Sequence, residues 1–347
     1  MIPDVVNLID NDEMSLYQTC HHLYQMLFLF YQKHEFNYLH INQSNPYIKW
    51  IRRLTHVNQF DQLSIFHHLT SIVCDDLLNK SLHNLPAALT HLTLGFDFNQ
   101  PIEHLPAALT HLTLGYCFNQ PVDQLPAALT HLTLGYRFNQ PIDQLPAALT
   151  HLTLGYSFNQ RIDQLPATLT HLTLGECFNH PIDKLPAMLT HLTLGDFFNQ
   201  RIDHLPATLI HLTLGVCFNQ RIDQLPAALT HLTLGPHFNQ SVDQLPAALT
   251  TLTLGYHFNQ PIDQLPAALI HLSLDDRFNK PINKLPAALT HLTLGDDFNQ
   301  PIDQLPAALT HLALDINYKM KTKITTLPKT LQIIVQGDHI IKLSTFR

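Results

Sequence analysis

The sequence predicts a repeat solenoid: one short strand per twenty-residue unit, stacked into a long parallel β-sheet, with non-helical return segments. Three observations predict it. A Leu-Pro pair recurs every twenty residues, at Leu85, Leu105, Leu125, Leu145, Leu165, Leu185, Leu205, Leu225, Leu245, Leu265, Leu285 and Leu305. Within each unit only one stretch, such as "HLTLG" at His131–Gly135, alternates polar and apolar residues with the two-residue period of a strand. Prolines follow each of those leucines and often fall again at the seventeenth position, where they punctuate a helix. Self-similarity at a fixed period is the signature of stacked turns that share one core.

Taken in chain order, residues 1–62 are not repetitive and are expected to form a small helical N-terminal segment. Residues 63–84 hold a worn copy: Leu69, Ile72, Leu78, Asn79 and Leu82 fall on repeat positions at an offset of twenty. Residues 85–320 hold twelve units. Residues 321–347 begin one more divergent copy at Leu327–Gly337. Divergent end copies suit a solenoid, whose first and last turns face water and cap the core.

Numbered from its leucine, the unit is apolar at positions one, three, five, eight, ten, fourteen and eighteen. In the third unit these are Leu125, Ala127, Leu129, Leu132, Leu134, Phe138 and Ile142. Leu132 and Leu134 point inward from the strand, and Phe138 and Ile142 fill the return. Ten of the eleven glycines close the strand at position eleven, which suggests a bend or positive φ. Asparagine at position fifteen, Asn139 in this unit, is expected to form a ladder. Its amide would satisfy backbone groups of its own and the adjacent turn. One turn cannot bury its own core, so stability comes from stacking neighbours.

At these residues a family is recognisable. "LPAALTHLTLG" followed by "FNQPID" resembles the FNIP repeat, a relative of the leucine-rich repeat named for a Phe-Asn-Ile-Pro core. The resemblance covers residues 63–337 and implies a leucine-rich-repeat-like, protein-binding solenoid. Such proteins are typical of social amoebae and of large viruses that infect amoebae. Some FNIP proteins carry an N-terminal F-box, and residues 1–35 are similar to one. Pro3, Val6, Ile9, Leu16, Cys20 and Leu23 occupy its apolar positions. That resemblance implies docking to a Skp-type adaptor of a cullin–RING ubiquitin ligase, with the solenoid holding an unknown target. The same residues also read as a helical cap on a binding module with no ubiquitin link.

Positions twelve and thirteen vary most and lie just past the strand, at the rim of the sheet. They supply the candidate partner-binding residues Phe96, Tyr116, Tyr136, Arg137, Tyr156, Phe197, His237, Tyr256 and Arg277. Drift at unconstrained loop positions explains the same variation. Position seven is histidine in eleven of twelve units, and His131 and His151 join the candidates because they lie on the open face of the sheet. Stacked imidazoles suggest a metal comb or a pH-sensitive ladder. The comb lacks recurring carboxylates for support. The ladder should stay neutral at pH 7 and loosen in acid, because charged neighbours repel.

Composition narrows partners and chemistry. A net charge of −8 with no basic cluster argues against nucleic acid. No apolar run is long enough to span a bilayer. Five cysteines without a C-x-x-C spacing suggest free thiols in a cytoplasm, the host's if the protein is viral. No phosphate loop, nucleophile elbow or H-E-x-x-H motif occurs, so the chain is expected to be a non-enzymatic monomer without cofactors, with proteins as its partners.

Overall fold

The computed structural model describes residues 35–37, 51–60, 63–66, 68–315, 318, 327–331, 333–336 and 339–342. The strands lie side by side in chain order. They begin with β1 (Glu35–Asn37), β2 (Arg53–Val57) and β3 (Ser71–Cys74). One strand per repeat follows, from β4 (His91–Thr93) to β15 (His311–Leu314), and then β16 (Ile333–Gln336) and β17 (His339–Lys342). Every neighbouring pair is parallel except the last, where β17 folds back antiparallel on β16. Register between repeats is exact in the twenty-residue step: His131 pairs with His151, Leu132 with Leu152 and Thr133 with Thr153.

The strand's alternation sets this register. Leu132 and Leu134 are 1% exposed while His131 and Thr133 face outward, half-buried. A slip by one residue would put every leucine in water. The return path crosses turns rather than helix. Leu129 N donates to Pro126 O at 3.0 Å, and Phe138 N donates to Gly135 O at 3.2 Å, so Pro and Gly each open a turn closed by a core residue. Phe138 and Ile142 fill the space behind the sheet at 0% and 3% exposure. The phenylalanines stack turn on turn with centroids 6.1–6.2 Å apart, from Phe98 to Phe298, and Tyr318 ends the series. Ala127, expected inside, is exposed: the turn after Pro126 carries it away from the core.

Asparagine joins the turns. Asn139 is half-buried; its Oδ1 accepts the backbone N–H of Asn159 at 2.9 Å, and its own N–H donates to Asn119 Oδ1 at 2.9 Å. The series runs without a break from Asn79 to Asn299. Gln160 Nε2 adds a second bond to Asn139 Oδ1 at 3.2 Å. Each rung satisfies a backbone donor that the bend takes away from the sheet.

The glycines have a different cause from the one expected. None of the ten at position eleven lies at positive φ. A Cβ on Gly175 would stand 2.0 Å from Gly155 O and 2.4 Å from Gly155 C. The turns approach too closely here for any side chain, and the whole column must be glycine where the approach is tightest. Asp275 breaks it: its N–H donates to Leu254 O at 3.1 Å and that of Gly295 donates to Leu274 O at 3.0 Å.

The expected helical segment at 1–62 needs correction where it is described. Residues 35–37 and 53–57 are strands of the same sheet, and Leu54 and Val57 are buried. Their turns step by eighteen residues rather than twenty, with Glu35 opposite Arg53 and Arg53 opposite Ser71. The F-box-like positions Pro3, Val6, Ile9, Leu16, Cys20 and Leu23 lie outside the described residues.

Candidate functional site

Outward positions on the strand form a regular face. His91 to His231 stack in one column with ring centroids 4.1–4.3 Å apart and planes within 20°. Threonine at position six holds each of these rings except that of His211, which follows Ile210. Thr130 Oγ1 donates to Thr110 O at 3.1 Å and lies 2.9 Å from His131 Nδ1. A hydroxyl has one hydrogen, so once the carbonyl takes it the imidazole must donate from Nδ1 and keep Nε2 as acceptor. Where Ile270 replaces threonine and Thr251 replaces the neighbouring histidine, His271 tilts 34° from His291.

His111, His131, His151, His171, His191, His211 and His291 all have imidazole pKa values below the ordinary 6.5. Desolvation is the larger cause, and the neighbouring imidazoles, the cause the spacing suggested, are the smaller. The stack also argues against the comb. Ring nitrogens offer lone pairs in the ring plane, so parallel rings direct them side by side and not onto one ion. Among the described residues no group of three or more His, Cys, Asp or Glu could hold a metal.

The rim beside this face carries the variable residues. Phe96, Tyr116, Tyr136 and Tyr156 stand on consecutive turns and stack at 4.5 Å with planes 8–14° apart. Phe96 is 49% and Tyr136 39% exposed, unusual for an aromatic column. Arg137 Cζ lies 5.6 Å from the Tyr116 centroid. A second cluster forms further along: Arg277 Cζ lies 5.2 Å over Tyr256, which meets His257 edge-on at 4.8 Å, and His257 lies 5.3 Å from His237. Phe197 is 50% exposed and belongs to neither cluster.

Sequence reasoning passed over the trough between face and rim. It runs from Gly135 to Gly215 across five turns, encloses about 480 Å³, and is floored by the glycine column. Tyr136 and Tyr156 wall one end; Glu176 and Asp196 wall the other. The acids sat in plain view at position twelve, but the depth of the trough depends on the missing side chains at position eleven. Farther along, the carboxyl of Asp276 is raised above its usual range by burial and Asp275, and that of Asp296 by hydrogen bonding with Asp315.

The FNIP Repeat family model matches in overlapping blocks that together span residues 79–307. A solved structure described as CroV588, "a novel circular LRR protein structure", is 43% identical over 83% of this chain, with a TM-score of 0.76. The match spans 46% of that protein, so this chain corresponds to less than half of it. The functional domain of InlJ from Listeria monocytogenes, which includes a cysteine ladder, shares 12% identity over 82% of this chain and 71% of its own, at a TM-score of 0.54. That likeness shows the fold alone. No curated protein matches. By the repeat model, the stacked asparagine and phenylalanine columns and the likeness to a circular leucine-rich-repeat protein, the chain belongs to the FNIP-repeat family.

Proposed function

We propose that the protein is a non-catalytic protein-interaction scaffold, whose invariant core displays variable side chains along one rim for a partner protein to read. The observation that carries this is the aromatic column from Phe96 to Tyr156, exposed at Phe96 and Tyr136 and half-buried at Tyr116 and Tyr156. Tyrosines held rigid by stacking lose little entropy on binding, and aromatics and arginines dominate interface energetics. Leucine-rich-repeat-type solenoids serve widely as extended binding surfaces. No helix among the described residues is long and apolar enough to cross a membrane.

The test places a photo-crosslinking residue in the full chain at Tyr136 on the rim, and at Glu103 on the return side, in cells that contain the natural partners. Specific protein adducts from position 136 and none from position 103 are expected. Equal labelling from both, or none, refutes the rim as the binding surface.

The finer proposal is that residues 1–35 dock a Skp-type adaptor and make the chain a substrate-recruiting subunit of a cullin–RING ubiquitin ligase. The F-box-like spacing of Pro3, Val6, Ile9, Leu16, Cys20 and Leu23 supports it. Full-length protein should recover the adaptor, and Leu16→Asp should lose it. Failure of the unaltered chain to recover any adaptor leaves the solenoid as a binding module without a ubiquitin link.

A further inference from the structure

We infer that the trough between Tyr156 and Asp196 is a seat for an arginine side chain, presented by an extended segment of a partner protein. The inference rests on the scaffold reading and names the chemistry that one part of the rim selects.

The aromatic column stops abruptly. Four rings stack at 4.5 Å, and the fifth turn places Glu176 where a ring would follow. Tyr156 therefore meets a ring on one side only. The space beyond it is the trough, which Tyr156, Glu176 and Asp196 line together and in which no Lys, Arg or His takes part. Among the described residues neither carboxylate has an ion-pair partner; Asp196 Oδ1 makes one long contact, accepting Val216 N–H at 3.4 Å. An apolar ring face beside two such carboxylates is complementary to a cation that is flat, weakly hydrated and a double donor. Guanidinium is that group: it stacks on aromatic planes and bonds carboxylates through two parallel N–H groups, whereas an ammonium is a compact, strongly hydrated point charge.

The chain fills the equivalent place once with its own arginine: Arg277 lies over Tyr256 at 5.2 Å. Arg137 lies 5.6 Å from the centre of Tyr116, but Phe96 and Tyr136 cover both faces of that ring, so it stands at the ring's edge. In both cases the arginine is at position thirteen of the turn after the tyrosine. After Tyr136 and Tyr156 that position holds Ser157 and Cys177, so no cation arrives from within. The rim is thus built to receive guanidinium beside its tyrosines, and over this trough it is left for another chain to supply.

The floor suits an extended segment. Five turns at ~4.8 Å spacing span roughly 19 Å, the length of about six residues at ~3.3 Å each. Glycines at every turn keep the floor low, and Thr173, Thr193 and Thr213 border it with hydroxyls available for backbone contacts.

The probe is the blocked peptide acetyl-Ala-Arg-Ala-amide, titrated into full-length protein with ring-labelled tyrosine and followed by NMR. Signals of Tyr136 and Tyr156 should shift saturably. The lysine peptide should bind several-fold more weakly, and the uncharged citrulline peptide should leave the signals in place. Glu176→Gln should weaken arginine binding by about three- to fivefold, the range for an exposed charge or cation–π contact. Tyr156→Val should do at least as much. If Tyr156→Val does not fold, Glu176→Gln and Asp196→Asn, which keep side-chain shape, decide the question. Shifts that never saturate, citrulline matching arginine, or carboxamide variants binding as the parent does would overturn the seat. Partners crosslinked at position 136 together with no arginine binding would leave the scaffold standing and remove the seat. Arginine binding without any crosslinked partner would do the opposite.

Discussion

Replacing Gly175 by alanine asks why the column is glycine. The new Cβ would lie 2.0 Å from Gly155 O, and ordinary contact begins at 3.4 Å, so the two backbones must part locally by about 1.4 Å. Cys177 N donates to Tyr156 O at 2.9 Å just beyond this point, and a displacement of that size breaks such a bond. Overpacking costs ~1–3 kcal/mol. The lost backbone bond adds ~1 kcal/mol. Destabilisation of roughly 2–4 kcal/mol is expected, concentrated at the junction of two turns. Native-state hydrogen exchange of the full chain reads it as faster exchange in residues 171–178 with distant turns unchanged. Gly175→Asn separates the two explanations. Asparagine relieves a positive-φ requirement better than alanine does, but meets the same steric wall with a larger side chain. Asparagine milder than alanine, or alanine without local effect, would refute the close-approach account.

Other perturbations have equally definite outcomes. Phe198→Ala, at a fully buried ring stacked 6.2 Å from both neighbours, should cost ~3–5 kcal/mol in denaturant melts. Asn199→Ala removes the acceptor of Asn219 N–H and Gln220 Nε2 and should cost ~1–2 kcal/mol, whereas Asn199→Asp keeps an acceptor and should recover most of it. The histidine column makes stability pH-dependent. The folded pKa values of His111, His131, His151, His171, His191, His211 and His291 are lowered, so below about pH 6.5 the unfolded chain binds protons that the folded chain refuses. Stability should be full above pH 7 and fall as pH drops through that range. Two charged rings 4.2 Å apart add repulsion of about 1 kcal/mol even at the dielectric constant of water. Replacing alternate histidines by threonine, as at Thr251, should flatten the fall.

Much of the fold was legible because every level of the unit agrees. The period placed Leu132, Leu134, Phe138 and Ile142 in the core, and alternation put His131 outside. The asparagine ladder followed from one recurring side chain and the rule that buried donors need acceptors. What misled was local reasoning about effects set by neighbours. Glycine reads as a conformational device in a single unit, but only stacked turns show the backbone of one blocking the Cβ of the next. Ala127 is apolar yet small enough to sit outside. Strands at Leu54 and Phe36 escaped notice because their turns step by eighteen. The rim residues were legible as variable; which of them stack was not, because stacking depends on like residues falling on consecutive turns. Tyr116, Tyr136 and Tyr156 do, and Phe197 does not.

The account depends on turns lying in register and stacking regularly. Pairs of nitroxide labels at the exposed positions Ala127, Ala187 and Ala227, in a background with cysteine replaced by serine, measure that stacking by pulsed dipolar spectroscopy. Separations should grow in proportion to the number of turns, by at least the ~4.8 Å of the strands and by up to the 6.2 Å of the phenylalanine stack, so to about 14 Å or more between 127 and 187 and about 24 Å or more between 127 and 227. Distances that do not scale with the number of intervening repeats would contradict the stacked solenoid and everything placed upon it.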